Sequence, residues 1–160
     1  MTLPNTTQTN TLIIAAVIGL IGFALYSQYF LYLEPCPLCI TQRLFYLLIA
    51  VFALLAILHR AGHTVYSSLG LLSAIGGIAA AGRQTWLQHL PPEQVPACGP
   101  SLQYMLETFP LGQTLRTMIT GDGNCAEVTW RFLGLSMGEW SLLCFLGFAA
   151  VIVWQLLRKR

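Results

Sequence analysis

Charged side chains are scarce in this chain of 160 residues. Only 9% of the positions are Asp, Glu, Lys or Arg, while 56% are hydrophobic. Soluble domains carry charge at about a quarter of their positions, so this composition excludes an ordinary soluble domain. The formal net charge is only +2, and no basic stripe alternates with aromatic residues, which argues against a nucleic-acid partner.

Motifs of several cofactor-dependent classes are also missing. The chain contains no glycine-rich nucleotide-binding motif. Covalent haem attachment needs a His directly after the second Cys of a Cys-x-x-Cys pair, and Ile40 stands there instead. The opening MTLPNTTQTN has no Lys or Arg, unlike the start of a cleavable signal peptide, so we expect the first apolar segment to be retained.

Long apolar runs are what the chain has in abundance. Four of them cover about residues 12–33, 40–58, 65–87 and 140–157. Each approaches or meets the roughly 17–25 residues that a helix needs to span about 30 Å of hydrocarbon. The sequence therefore predicts an all-α integral membrane protein, a single domain over residues 1–160 built as a four-transmembrane-helix bundle. Two outer loops are expected at about residues 34–39 and 88–139.

The distribution of charge predicts the orientation. Arg60 lies in the short turn between the second and third apolar runs, and the C-terminus ends in Arg158, Lys159 and Arg160. Because Lys and Arg favour the cytoplasmic side, we expect both termini and this turn in the cytoplasm of a bacterial inner membrane. The long loop, with five acidic residues against two arginines, then faces the periplasm.

Four of the five cysteines fall in the two outer segments, namely Cys36, Cys39, Cys98 and Cys125. Free thiols do not persist in an oxidising compartment, so we expect two disulfides. The pairs Cys36–Cys39 and Cys98–Cys125 are favoured, and crossed pairings stay open. A four-sulfur zinc site is the alternative, although the second pair lacks the close spacing of a zinc knuckle. Cys144, inside the last apolar run, is interpreted as a small hydrophobe.

The stretch EPCPLCITQR places the Cys-x-x-Cys pair at the entrance of a helix. Pro35 and Pro37 disfavour a helix around Cys36, whereas Cys39 opens an apolar helical run. The positive end of that helix stabilises a thiolate. Arg43 follows one turn deeper on the face of Cys39. It either extends its charge to the interface or has a role at the thiol site.

A dithiol at a membrane edge is oxidised only by an acceptor that reaches that edge. A lipid-soluble quinone fits, because a thiolate can donate to its ring and Arg43 can stabilise negative charge on its oxygen. The loop cysteines can relay electrons from a soluble thiol protein by thiol–disulfide exchange. The competing hypothesis is a structural membrane protein whose loop disulfides only brace the fold.

Two stretches resemble the bacterial disulfide bond formation protein B (DsbB) family. EPCPLCITQR resembles the family's first outer loop, and GDGNCAEVTWRFLGLSMGEW at residues 121–140 is similar to its entry into the fourth helix. With the order of helices and cysteines, the resemblance covers nearly the whole chain. It implies an oxidoreductase that reoxidises a DsbA-like periplasmic thiol oxidase and reduces ubiquinone or menaquinone, in a pathway that is itself a standard example of an oxidising periplasm.

The resemblance also implies a role for each cysteine in the outer segments. DsbA would attack Cys98, Cys125 would pass electrons to Cys36, and Cys39 would lie beside the quinone. A vitamin-K-epoxide-reductase-like enzyme is the nearest rival family. There the Cys-x-x-Cys pair follows the loop cysteines, whereas here it precedes them.

Other residues match the family less closely. Arg43 matches its arginine at the quinone site, and His89 falls near a histidine associated with quinone binding, with a solvated interfacial histidine as the alternative. Arg83 has three interpretations, namely pairing with Glu93, lining the quinone pocket or extending to the interface. Pro37, inside the cysteine pair, departs from the best-known members.

Three further patterns predict packing. Ser73, Gly77 and Ala81 recur every four residues, which suits close packing of helices. Apolar residues from Leu111 to Ile119 fall on one helical face, which predicts a helix on the bilayer surface or a short packed helix. His59 and His63 share the turn between the second and third runs, and we expect both to be ordinary residues of the headgroup region.

Overall fold

Four long helices dominate the fold. The computed structural model describes residues 5–59, 62–100 and 102–158. The long helices are α1 (Thr6–Phe30), α2 (Pro37–Leu58), α3 (His63–Gln88) and α6 (Met137–Arg158). Each is long and apolar enough to cross a membrane, which confirms the predicted all-α membrane bundle. Arg60, Lys159 and Arg160, on which the predicted orientation partly depends, lie outside the described residues.

The helices α1 and α2 begin earlier than the apolar runs because the residues before them cap them. The helix α1 starts at Thr6 rather than near residue 12, where the backbone N–H of Asn5 donates to Oε1 of Gln8 at 2.9 Å. It ends at Phe30 instead of residue 33, and Tyr32 then adopts a positive φ of 53°. The helix α2 starts at Pro37 rather than Ile40, so hydropathy alone misplaced the entrance of the helix by three residues.

Close packing between α3 and α6 confirms the predicted stripe of small residues. Ser73, Gly77 and Ala81 are all buried. The ring of Phe145, which is fully buried, lies directly against the space where Gly77 lacks a side chain. This ring also stacks on Tyr46 of α2, with centroids 4.0 Å apart. The small residues of α3 therefore let one aromatic pair join α2, α3 and α6.

The long outer loop has structure of its own. It contains α4 (Leu102–Thr108), α5 (Leu111–Thr120), a turn of 3-10 helix at Gly123–Cys125, and an antiparallel hairpin of β1 (Arg131–Phe132) and β2 (Leu135–Ser136). The hairpin leads directly into α6. The loop thus folds over the end of the bundle where α2 begins and α3 ends.

The predicted amphipathic segment is the helix α5. Its Thr114 is buried and donates to the carbonyl of Met105 on α4, and the carbonyl of Met118 accepts from Thr41 of α2 at 2.8 Å. Leu111 and Ile119, by contrast, are about seven-tenths exposed, at 70% and 69%. Since Leu111, Leu115 and Ile119 of the apolar face are exposed while Met118 is half-buried, the structure favours a helix that lies on the bilayer surface.

At the other end of the bundle, a buried polar cluster joins three helices. The Nε2 atom of Gln155 on α6 lies 3.1 Å from Oδ1 of Asn10 on α1 and 3.3 Å from Nε2 of His63 on α3. His63 is 4% exposed. The expectation that it is an ordinary headgroup residue was therefore wrong, because its partners come from helices distant in sequence.

Candidate active site

The Cys-x-x-Cys pair forms the first turn of α2. Cys36 is the N-cap, Pro37 occupies the first helical position, and Cys39 lies in the first turn. Proline suits that position, because its fixed φ is helical and the N–H that it lacks would have no partner there. The backbone N–H of Cys39 donates to Sγ of Cys36 at 3.3 Å. Pro37 therefore starts the helix with both sulfurs at its positive end.

Cys125 lies against the other side of Cys36. It ends the turn of 3-10 helix, is fully buried, and packs beside Cys36 in one buried cluster. The side chains of Leu38 and Leu87 enclose this contact. Residues 89 positions apart in the sequence are thus in contact, and Cys36 lies between Cys125 and Cys39.

Cys98 is exposed on the loop that precedes this turn. Two hydrogen bonds hold the loop to the turn: Gly123 N–H donates to the carbonyl of Ala97 at 3.2 Å, and Asn124 Nδ2 to that of Gly99 at 2.9 Å. Gly123 is required there, since the backbone of residues 96–98 occupies the space of a Cβ. The loop therefore brings an accessible thiol up to the turn that carries Cys125.

All five cysteines are free thiols in this structure, so the two predicted disulfides stay predictions. Among the described residues, no group of three or more His, Cys, Asp or Glu side chains is arranged to hold a metal ion.

Hydrogen bonds decide where a proton sits in the dithiol. The contact with Cys125, then the contact with Cys39 and burial, raise the pKa of Cys36 above its usual range. Cys36 is the thiol that donates to Sγ of Cys39, at 3.0 Å. In the reduced pair Cys36 therefore keeps its proton, and Cys39 is the sulfur that accepts the thiol hydrogen bond.

Two buried glutamines that the sequence reasoning missed complete this arrangement. Nε2 of Gln84 on α3 lies 3.3 Å from Sγ of Cys39 and 3.6 Å from that of Cys36. Nε2 of Gln42 on α2 donates to Oε1 of Gln84 at 2.7 Å. Polar residues within apolar helices are expensive and mark functional sites, and that signal was available in the sequence.

Beyond Cys39, a cavity of about 260 Å³ opens between α1 and α6. Its walls are mostly apolar and aromatic, with contributions from Leu20, Phe23, Trp130, Phe132, Met137 and Trp140. Its polar groups are few, and they include Cys39, Gln42, Arg43 and Gln84. An apolar cavity with a few convergent polar groups is typical of a small-molecule site.

Arg43 brings the only formal positive charge among the residues that line this cavity. One terminal nitrogen donates to Oε1 of Gln28 at 2.6 Å, and the other to the carbonyl of Ala24 at 3.2 Å. These bonds to α1 hold the guanidinium in place and leave three of its five N–H donors for another partner. This geometry gives Arg43 a defined position in the wall and not merely a path to the interface.

The hairpin forms an aromatic roof over the cavity. The ring of Trp130 lies 5.7 Å from that of Phe23 on α1 and 5.9 Å from that of Phe132. Trp140 Nε1 donates to the carbonyl of Phe132 at 3.0 Å. The roof therefore spans α1 and α6.

The junction between the hairpin and α6 is a capping box. Ser136 N–H donates to the carboxylate of Glu139, and Glu139 N–H donates to Ser136 Oγ at 3.2 Å. This cap fixes the direction in which α6 leaves the hairpin.

His89 and Arg83 lie away from the cavity. His89 is exposed at the end of α3, with its ring 3.9 Å from the carboxylate of Glu139, so its quinone-binding role gains no contact and stays a prediction. Arg83 covers the ring of Trp86 at 4.4 Å and donates to the carbonyl of Thr120 at the end of α5. It thus ties α5 to α3. Cys144, interpreted as a small hydrophobe, forms part of the cavity wall.

Comparison with known proteins finds one matching family. The family described as Disulfide bond formation protein DsbB matches residues 6–155. A Disulfide bond formation protein B of Hahella chejuensis is 52% identical over 147 residues, covering 90% of this chain and 89% of the relative. Proteins of the same name from Saccharophagus degradans and Methylococcus capsulatus are each 48% identical, and cover 98% and 97% of this chain and 96% of each relative.

Proposed function

The chain belongs to the DsbB family of disulfide bond formation proteins, and we propose that it reoxidises a DsbA-like periplasmic oxidase and passes the electrons to a membrane quinone. Membership makes it a multi-pass membrane protein with a disulfide oxidoreductase role. The observation that carries the proposal is the contact of Cys125 with Cys36, beside a Cys39 that opens onto an apolar cavity. The sulfur atoms of Cys125, Cys36 and Cys39 thus form a path from the outer loop to the cavity.

Electrons enter at Cys98, the exposed thiol. A thiolate of the reduced partner attacks Cys98 in a Cys98–Cys125 disulfide, and Cys125 leaves as a thiolate. The second thiol of the partner then closes the partner's own disulfide and releases Cys98. The partner has lost two electrons and two protons, and the loop pair has gained them.

The electrons then move to the pair in α2. Cys125 attacks Cys36 in the Cys36–Cys39 disulfide, so that a Cys36–Cys125 bond forms and Cys39 leaves as a thiolate. Cys98 next attacks Cys125, which restores the loop disulfide and leaves Cys36 and Cys39 as a dithiol. That dithiol returns to a disulfide when it gives up two electrons and two protons at the cavity.

The cavity suits a quinone. When bound, a quinone accepts the two electrons and two protons and leaves as a quinol. The apolar and aromatic walls match a flat ring such as that of ubiquinone or menaquinone. Arg43 has N–H donors available for a ring oxygen, where they stabilise developing negative charge. Cys39 lies in the same wall, so its sulfur faces the acceptor.

We place the outer loops in the periplasm of a bacterial inner membrane and both termini in the cytoplasm. The acidic long loop and the basic end of α6 support this orientation. Chemistry supports it too, because Cys98 must meet a soluble partner in an oxidising compartment. After the loop disulfide has been reduced, labelling of Cys98 in intact cells with a maleimide that cannot cross the inner membrane tests this placement, and protection of the reduced Cys98 until lysis would contradict it.

Quinone reduction by the purified protein tests the proposed reaction. The protein in detergent receives a reduced DsbA-like oxidase and a ubiquinone analogue, and both quinone absorbance and partner thiols are followed. We expect one quinone reduced for every two thiols lost. Cys36→Ser and Cys39→Ser should abolish turnover, whereas Ser68→Ala, an exposed change on α3, should keep it.

Two outcomes would contradict the proposal. Undiminished turnover in Cys39→Ser would remove this sulfur from the path. A folded wild-type protein that reduces no ubiquinone or menaquinone analogue with any of a panel of reduced partners would favour the structural hypothesis, in which the loop disulfides only brace the fold.

A further inference from the structure

The side-chain amide of Gln84 contacts both sulfurs of the Cys-x-x-Cys pair. Its Nε2 atom carries two N–H donors and lies 3.3 Å from Sγ of Cys39 and 3.6 Å from Sγ of Cys36. Gln84 is 4% exposed, and it lines both the apolar cavity and a smaller, more polar cleft that reaches Cys36. A buried amide in a membrane helix is costly unless its hydrogen bonds are made, and here they are made to the reacting atoms.

The orientation of this amide is held by its neighbours. Gln42, also 4% exposed, donates to Oε1 of Gln84 at 2.7 Å. This bond directs Nε2 of Gln84 toward the sulfurs. Gly138 at the start of α6 makes room for it, because a Cβ there would lie 3.0 Å from Cδ of Gln84. Three helices therefore meet at one amide, and each of them limits how it can turn.

We propose that Gln84 is a catalytic residue that stabilises Cys39 as the leaving thiolate when Cys125 opens the Cys36–Cys39 disulfide, and that Gln42 is the positioning residue that orients it. In this step the Cys36–Cys39 bond breaks, the Cys36–Cys125 bond forms, and the electron pair of the broken bond stays on Cys39. The N–H of Gln84 points at the atom on which that charge develops. The inference deepens the proposed function and rests on its order of sulfur transfers.

The reason for a second donor beside Arg43 lies in the geometry. The guanidinium is bonded to Gln28 and Ala24 of α1, and it lies one helical turn beyond Cys39. Gln84 approaches from α3, so its bond to the sulfur does not use any donor that the cavity's ligand needs. A neutral amide also stabilises the thiolate without adding a second charge to a buried site, which desolvation would penalise.

The test is the rate at which iodoacetamide alkylates Cys39 in the reduced, otherwise unchanged chain at neutral pH, read by mass spectrometry. Gln84→Met keeps the length of the side chain and removes the donor. Since a hydrogen bond to a charged group is worth about tenfold or more in an equilibrium, we expect the rate to fall by about tenfold. In Gln84→Glu, which replaces the donor by an acceptor, the alkylation rate of Cys39 should fall at least as far.

The controls come from the same helix and the same sample. Gln88→Met, one turn later on α3, removes an amide that bonds to Ser136 and to neither sulfur, and should leave the rate unchanged. Cys98, which is exposed, should react equally fast in all variants. Gln42→Met should lower the alkylation rate of Cys39 less than Gln84→Met does, because the amide of Gln84 is kept and only its orientation is lost.

Equilibration of the Cys36–Cys39 pair with glutathione gives a second readout. Loss of the thiolate's partner should shift this equilibrium by about tenfold toward the disulfide in Gln84→Met. Alkylation and equilibrium values within twofold of wild type in Gln84→Glu and Gln42→Met would overturn the proposal, even if Gln84→Met failed to fold. Neither measurement uses a quinone or a partner protein. A negative result for Gln84 is therefore distinct from a failure of the proposed function.

Discussion

The guanidinium of Arg43 on α2 donates a 2.6 Å hydrogen bond to the side-chain oxygen of Gln28 on α1. This bond holds a cation in the wall of the apolar cavity, beside Cys39. An arginine that only reached for the interface would need no partner on a neighbouring helix. The pairing therefore connects the packing of α1 on α2 with the chemistry proposed for the cavity.

Arg43→Ala should raise the apparent KM for the quinone analogue by about tenfold or more, because it removes charge-assisted donors from the site. Arg43→Lys should recover only part of the loss, since an ammonium cannot reproduce the planar fork. Steady-state quinone reduction at a saturating concentration of the reduced partner protein measures the KM of both variants. An unchanged KM in Arg43→Ala would remove Arg43 from the site.

Cys39→Ser should trap a disulfide between Cys36 and Cys125. The two thiols are in contact in the structure, and without Cys39 the bond cannot return to a Cys36–Cys39 disulfide, so that only Cys98 can still open it. Peptide mapping under non-reducing conditions detects it after the protein has been mixed with oxidised glutathione. A Cys36–Cys98 bond as the main product would contradict the arrangement seen here.

Cys125→Ser should accumulate a mixed disulfide between Cys98 and the partner. Without Cys125 the loop disulfide cannot form, so oxidised partner and Cys98 join and the bond is not resolved from within the chain. Non-reducing electrophoresis shows the adduct, and mass spectrometry locates it. An adduct on Cys36 instead would refute the proposed order of transfers.

In the reduced protein, Cys98 should be alkylated first and Cys36 should resist to alkaline pH. The raised pKa of Cys36 keeps it protonated as the pH rises through the usual thiol range, and only a thiolate reacts. Cys98 is exposed. A pH series of alkylation by mass spectrometry measures both residues, and equal reactivity of the two would show that Cys36 is not protected.

Cys144→Ser should change the KM for quinone by no more than a few-fold and leave kcat intact. Its sulfur lines the cavity, but the structure gives it no contact with the other cysteines. The hydroxyl makes the wall slightly more polar, which affects binding and not electron transfer. A kcat reduced to the level of Cys39→Ser would assign Cys144 a redox role.

Gly77→Ala should destabilise the bundle by about 1–3 kcal/mol, because the added methyl group meets the fully buried ring of Phe145. Gly147→Ala is the matched control, since nothing lies within 4 Å of a Cβ at that position. Thermal unfolding in the same detergent compares them. Equal melting temperatures for the two variants would mean that α3 and α6 can separate without cost.

The predicted fold followed from local features of the chain. Runs of apolar residues long enough to span a bilayer need no tertiary information to be recognised, and the periodicity of Ser73, Gly77 and Ala81 already identified a packing face. Helix ends were less predictable. Hydropathy placed the start of α2 at Ile40, whereas the cap at Cys36 and the proline after it start the helix three residues earlier.

The candidate site was likewise predictable only where its residues are close in the sequence. Cys36, Cys39 and Arg43 lie within one stretch, so their common helix end and face could be read from spacing alone. The contact of Cys125 with Cys36, the amide of Gln84 above both sulfurs and the burial of His63 could not.

The sequence by itself therefore determined the membrane class, the four spans and the chemical type of the site. Only the tertiary structure decided which cysteine of the loop meets the helix, which glutamine faces the sulfurs, and that His89 lies outside the cavity. The physical reason is that spans and helix starts depend on neighbours within a turn or two. Contacts between α2, α3 and the outer loop depend instead on how whole elements pack, which no local pattern records.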